Sequence, residues 1–363
     1  MYLTVTPLSI VALTTAPPYF DTNGSISVPP PPNVIRSGLY ESITLEYHKY
    51  TIKYCLTLIT QTILFFLIVV CSMKVVIFGG TGLIGRAIYS SLPHDFYIVS
   101  RSAKGQEGQA HIIGLDEIDK IKECDVVINL SGYSIASKRW NRKVKEEIVR
   151  SRIDTTRLVV NFIRNLEKKP SAFLSGSAIG FYGHNTNKEL TEEDPFGSGF
   201  LADLARSWEE EAMQADGICR TVLLRTANFL SPKGGFLSAL INPKSKNVMY
   251  FGDGRQPVSW MHYADYVKAV EFVIENASIA GPVNMSSPQP VTFKEFAEAF
   301  SKSLGSHIRS IPEFLGKIAL GSEMYRELMS GQKVIPKKLI QAGFKFDFPD
   351  INTAASSIAS LMK

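Results

Sequence analysis

From Lys74 onward, short apolar runs alternate with longer stretches in which apolar residues recur every three or four positions. The runs K-V-V-I-F-G from Lys74, F-Y-I-V-S (96–100), D-V-V-I-N-L (125–130), A-F-L-S (172–175), T-V-L-L-R (221–225) and P-V-N-M (282–285) predict buried strands. The intervening periodicity predicts helices over 83–92, 117–122, 141–166, 200–215, 262–275, 293–304 and 311–320, with Pro170 marking the end of the third. Strands alternating with helices specify an α/β fold, a Rossmann-type doubly wound parallel sheet with crossover helices. Between Ser231 and Pro257 the pattern weakens into Gly- and Pro-punctuated segments, which predicts a small C-terminal substrate lobe. No internal repeat is visible.

Before Met73 the pattern differs. Residues 1–53 hold Pro17–Pro18 and the run Pro29 to Pro32 with no sustained period, and read as a disordered Pro-rich arm. Residues 54–72 are uncharged and strongly apolar, long enough for a membrane span. Three readings compete there: an anchor, an organelle leader, and a non-native extension with the chain proper starting at Met73. The last is favoured because the first strand begins at Lys74 with no linker. A membrane partner or membrane-anchored localisation rests on 54–72 alone; otherwise the folded part is expected in the cytoplasm or an organelle matrix.

Composition narrows the classes. The formal charge of +5 over 363 residues is small and forms no basic block, so no nucleic-acid partner is expected. Cys55, Cys71, Cys124 and Cys219 show neither metal-ligand spacing nor a disulfide framework, so no metal is expected.

The chemistry lies in G-G-T-G-L-I-G (79–85). Gly79 permits a tight turn off the strand, Gly82 lets backbone amides reach a pyrophosphate, and Gly85 lets helix pack on strand. With Thr81, Leu83 and Ile84 these residues form the candidate cofactor turn. It follows an apolar strand and opens a helix, the context that makes such a triplet meaningful. At the end of the second strand stand Ser100 and Arg101, where an NAD site would carry Asp or Glu. Arg101 can fork onto a 2′-phosphate, so NADP is expected over NAD.

Beyond the turn, N-L-S-G (129–132), G-Y-S-I-A-S-K-R-W, K-E-E-I-V-R-S-R-I-D-T-T-R, S-G-S-A-I-G-F-Y-G (175–183), L-L-R-T-A-N-F-L-S-P-K-G-G (223–235) and G-R-Q-P-V-S-W-M-H-Y-A-D (254–265) follow in order. Together they resemble an atypical group of extended short-chain dehydrogenase/reductases, epimerase family group 39U. The stretch G-Q-K-V-I-P-K-K-L-I-Q-A-G-F-K-F (331–346) resembles that family's own tail. The resemblance spans 73–363. It implies an NAD(P)-binding domain over 73–230, an epimerase-like substrate lobe over 231–308 and a family-specific domain over 309–363. It also implies cofactor contacts at Asn129, Gly132, Glu147 and Arg152.

Extended members use a Ser, a Tyr and a Lys four residues after the Tyr, the last two moving a proton while hydride moves on the nicotinamide. Ser177 matches the Ser. Phe200 and Leu204 stand in the Tyr and Lys places and cannot transfer protons. Tyr182, Asp203 and His262 are the remaining protic candidates, with Ser177 and Tyr182 carried forward as catalytic candidates. Two functions stay open: an NADP-dependent oxidoreductase or epimerase-like protein acting on an unidentified small hydroxyl or carbonyl substrate, and a non-catalytic NADPH-binding sensor or assembly protein. The oligomeric state is not legible.

Overall fold

Lys74–Phe78 forms β1, whose run of four buried residues reflects cover on both faces of the sheet rather than on one. In this computed structural model the described residues are 19–20, 26–27, 72–101, 105–108, 110–242 and 247–362. Strands Tyr19–Phe20 and Ile26–Ser27 pair with each other in an N-terminal unit; the sheet lies in a second unit, Cys71–Lys363.

After β1 come α1 (Leu83–Tyr89), β2 (Asp95–Ser100), β3 (Gly105–Glu107), β4 (Ala110–Gly114), β5 (Val126–Asn129) and α2 (Arg142–Asn165). Then follow β6 (Ala172–Ala178), β7 (Asn185–Leu190), α3 (Phe200–Ala212), β8 (Arg220–Thr226) and β9 (Asn228–Ser231). The C-terminal part supplies β10 (Trp260–His262), α4 (Tyr263–Glu275), β11 (Gly281–Met285), α5 (Phe293–Leu304), α6 (Glu313–Leu320) and α7 (Ser322–Met329). It ends with β12 (Gln332–Val334), α8 (Lys337–Gln341) and α9 (Ile351–Leu361).

The main sheet runs β11-β8-β6-β5-β1-β2-β4-β3, parallel throughout except for the edge strand β3. Because β1 pairs with β2 on one side and β5 on the other, the strand order reverses there. A parallel sheet opens a crevice at such a reversal, beyond the strands' carboxyl ends. One face packs Ile88, Tyr266 and Val270 from α1 and α4; the other packs Val159, Phe162 and Ile163 from α2. A third core joins Phe293, Phe296 and Phe300 of α5 to Ala354, Ala355 and Ile358 of α9.

Local chemistry sets the helix ends. The Asn141 side chain accepts from the Val144 amide and starts α2, and Asp350 caps α9 through the Asn352 and Thr353 amides. His262 starts α4, its Nδ1 accepting from Ala264 N at 3.2 Å. Three residues on, the buried Asp265 carboxylate accepts from the amides of Asp347 (2.8 Å) and Phe348 (2.9 Å). The C-terminal stretch is thereby tied back onto the lobe. Ser287 Oγ adds a bond to Pro349 O.

The membrane expectation is corrected. No helix among the described residues is long and apolar enough to cross a membrane. The 24-residue α2 has the length but carries Arg142, Lys143, Lys145, Arg150, Arg152, Arg157 and Arg164, which lipid would not tolerate. A membrane partner and a membrane-anchored localisation are therefore not supported. The segment that raised them, 54–72, lies outside the described residues except for Ser72.

Candidate cofactor and substrate site

The glycine turn sits at the sheet reversal. Gly79 leaves β1 at φ +76°, and a Cβ there would lie 2.7 Å from the Leu130 carbonyl carbon, so only glycine fits between the ends of β1 and β5. A Cβ on Gly85 would fall 2.5 Å from Gly80 Cα, so α1 touches the turn because both residues are glycine. Gly80 belongs to the same requirement and was not singled out from the sequence. Gly82 is different: it is exposed, and a Cβ there meets only Gly79 O at 3.2 Å. Its bare backbone is open to an approaching anion, with exposed Thr81 beside it and half-buried Leu83 and Ile84 anchoring the helix start in the core. A dinucleotide pyrophosphate fits this cradle.

On the next strand, Ser100 is buried at the end of β2 and Arg101 is exposed just beyond it. At the end of β5, Asn129 is fully buried. It donates to Thr156 Oγ1 at 2.9 Å and accepts from Ser131 N at 3.1 Å, so it shapes the chain's exit toward Gly132. Trp208 Nε1 donates to the same Thr156 hydroxyl, tying α2 to α3.

Gly132 and Arg152 meet directly, since a Cβ on Gly132 would stand 2.9 Å from the guanidinium carbon. Arg152 donates to Tyr133 O (3.0 Å) and Ile148 O (3.2 Å) and lies over the Trp208 ring. Burial lowers its pKa to about 10. Glu147 is exposed on α2, five residues before the half-buried Arg152.

Ser177 and Tyr182 share one buried network. Ser177 Oγ donates to Glu209 Oε1 at 2.6 Å, and Arg225 forks onto both Glu209 oxygens at 2.8 Å. The remaining Arg225 arm donates to Tyr182 OH at 3.0 Å, and that hydroxyl donates to Asn284 Oδ1 at 2.7 Å. Burial pushes the Tyr182 phenol up to about 12 despite the neighbouring guanidinium. At neutral pH it stays protonated. The Ser177 hydroxyl proton is already committed to a carboxylate. Glu209, Arg225 and Asn284 were invisible as a group in the sequence, because they come from α3, β8 and β11.

A cavity of about 220 Å³ is lined by the chain neighbours of this network, Ala178, Trp208 and Thr226, while Ser177, Tyr182, Glu209, Arg225 and Asn284 themselves are not on its walls. Ala178, Ile179 and Gly180 after β6, Thr226 to Asn228 after β8, and Leu204, Ala205 and Trp208 of α3 form its sheet side. Gln256 to Ser259, Phe293 and the tail residues Glu327, Leu328, Met329, Gly331 and Gln332 close it. Hydrocarbon occupies the places of the proton-transfer pair. Leu204 lines the cavity, and Phe200 packs edge-on against Trp140 with ring centroids 4.9 Å apart. The Glu327 carboxylate accepts from the amides of Phe200 and Leu201 and from His184 Nε2, each at 3.2 Å, so the tail caps α3. Asp203 lies exposed in the first turn of that helix.

A reversed-order parallel sheet, a glycine cradle at the reversal and a lobe over the carboxyl edge define an extended short-chain dehydrogenase/reductase architecture. Residues 75–285 match the NAD dependent epimerase/dehydratase family, and the chain belongs to it; residues 311–358 match a domain of unknown function, DUF1731. Among its relatives, epimerase family protein YfhF of Bacillus subtilis is 35% identical over 299 residues, covering 79% of this chain and 98% of that one. The crystal structure of human epimerase family protein SDR39U1 (isoform 2) with NADPH is 28% identical with a TM-score of 0.73, covering 79% of this chain and 99% of that one. MoeE5 in complex with UDP-glucuronic acid and NAD, 17% identical with a TM-score of 0.63 over 79% of this chain and 99% of its own, shares the fold alone. Structures related to this chain thus hold either NADPH or NAD.

Proposed function

We propose that this chain is an NADP(H)-dependent oxidoreductase or epimerase-like enzyme acting on a small hydroxyl or carbonyl substrate. The observation that carries the reading is the arrangement of one sheet edge: an open glycine cradle at the reversal and, along the same edge, a partly open cavity lined by Ala178, the residue after Ser177. When bound, the nicotinamide supplies a hydride acceptor or donor. The chain's own residues do the rest. Gly79 and Gly85 shape the turn, Gly82 turns its own amide to Gly79 O and leaves room above it, and the amides of Thr81, Leu83 and Ile84 receive the pyrophosphate. Ser100 and Arg101 receive the 2′-phosphate, which favours NADP over NAD. Asn129, Gly132, Glu147 and Arg152 are assigned to the cofactor's other half.

Ser177 is assigned to orient the substrate oxygen by accepting from a substrate hydroxyl, since its own proton goes to Glu209; Arg225 holds Glu209 and donates to Tyr182. The second reading, a non-catalytic NADPH sensor or assembly protein, draws on the hydrocarbon of Phe200 and Leu204 where a proton-transfer pair would stand. A screen of small carbonyl compounds for NADPH oxidation separates the two. The enzyme reading expects turnover, and a kcat about 10²-fold lower in Ser177→Ala with NADPH affinity unchanged. Tight NADPH binding without turnover of any compound would favour the sensor instead.

A further inference from the structure

The cavity's size and charge speak to what it accepts. At about 220 Å³ it falls below the ~300–1,000 Å³ typical of sites for drug-sized ligands. Its walls are mostly hydrocarbon, with Leu201, Leu204, Trp208, Val258, Phe293 and Met329 contributing large apolar surfaces. Among the described residues, Arg152 and Glu327 are the only ionisable side chains on those walls.

Neither suits a diphosphate. The Arg152 guanidinium spends Nη1 on two backbone carbonyls and lies against Gly132, so what it has left to offer faces the side assigned to the cofactor. The tail side offers no Lys or Arg among its described lining residues; it offers the buried carboxylate of Glu327. A phosphate brought there would need cationic or N–H partners. It would instead face a like charge at low dielectric, and the two would repel. Helix α3, whose amides could otherwise greet an anion, has its first two N–H groups taken by that same carboxylate.

We infer that the cavity takes a small, uncharged, mainly apolar alcohol or ketone, and that the tail domain excludes nucleoside diphosphate sugars through Glu327 and its apolar neighbours. The inference rests on the reading of the chain as an enzyme of hydroxyl or carbonyl substrates. It departs from its fold relatives at the point where one of them binds UDP-glucuronic acid.

Saturation-transfer NMR on the full-length chain, with NADPH present and again without it, tests the inference. The probes are cyclohexanone, UDP-glucose and UDP. Cyclohexanone is expected to give saturable signal with a Kd on the order of 1 mM, as befits so small a ligand. UDP-glucose and UDP are expected to give none beyond what NADPH competes away, since a free nucleotide can enter the cofactor cradle. Met329→Trp, and separately Ala205→Leu, should fill the cavity and weaken cyclohexanone binding at least about tenfold. NADPH-resistant binding of UDP-glucose, or cyclohexanone binding that is absent or indifferent to both folded variants, would overturn the inference. Should neither variant fold, the comparison of the three probes on the unmodified chain decides alone. Failure of the enzyme reading looks different: cyclohexanone would bind as expected while no carbonyl compound is turned over.

Discussion

His262 lies beneath Phe348, ring centroids 3.7 Å apart, with its Nδ1 bonded to the Ala264 amide and its Nε2 without a hydrogen-bond partner. Burial lowers its pKa to about 4, against about 6.5 in an unfolded chain. Between those values the unfolded chain holds a proton that the folded one refuses. Stability is therefore full above about pH 6.5 and falls as pH drops toward 4, by up to ~3 kcal/mol. Asp265, its carboxyl raised by burial, works in the opposite sense but is common to wild type and variant. Urea unfolding between pH 7 and 4.5 should show this decline in the wild type and a flatter profile in His262→Gln; parallel profiles would contradict the assignment. The histidine was legible as a helix-starting residue from H-Y-A-D alone. Its burial was not, because Phe348 arrives from a segment that carried no predicted element.

At the scale of elements, α3 shows what local pattern can and cannot tell. Its start at Phe200 followed from periodicity, but its cap did not. Gly199 precedes it at φ +114° with no side chain to offer, and Glu327 of α7, distant in sequence, takes the first amides. Glu327→Ala removes those bonds and leaves His184 without its carboxylate, so a loss of about 1–3 kcal/mol is expected in chemical denaturation. An unchanged midpoint would mean the cap contributes nothing. Elsewhere the central parallel strands were read from their continuous apolar runs. The edge ladder of β3 and β4 was missed, since G-Q-E and A-H-I-I-G show neither a long apolar run nor clean alternation. Helices α7, α8 and α9 were missed too. The last owes much of its burial to alanines packed on Phe296 and Phe300, a weak periodic signal.

For the molecule as a whole, the sheet and the cofactor cradle were readable because both depend on contiguous residues. The cavity was not, for its walls come from several segments between Ile135 and Gln332. The same holds for the Ser177–Glu209–Arg225–Tyr182–Asn284 network. Two of its members were picked by motif; Arg225 and Asn284 join them only when parallel strands bring their ends together, and Glu209 only when α3 packs on the sheet. Phe200 and Leu204 stand on α3 at the proton-transfer positions, within the stretch that matches the family. The cradle and Arg101 lie away from that change. A direct test of the central claim is a calorimetric titration of the full-length chain with NADPH and with NADH, repeated for Arg101→Ala. NADPH should bind at least about tenfold more tightly, and the variant should lose most of that preference while its NADH affinity stays the same. Equal affinity for the two, or tighter NADH binding untouched by Arg101→Ala, would contradict the account.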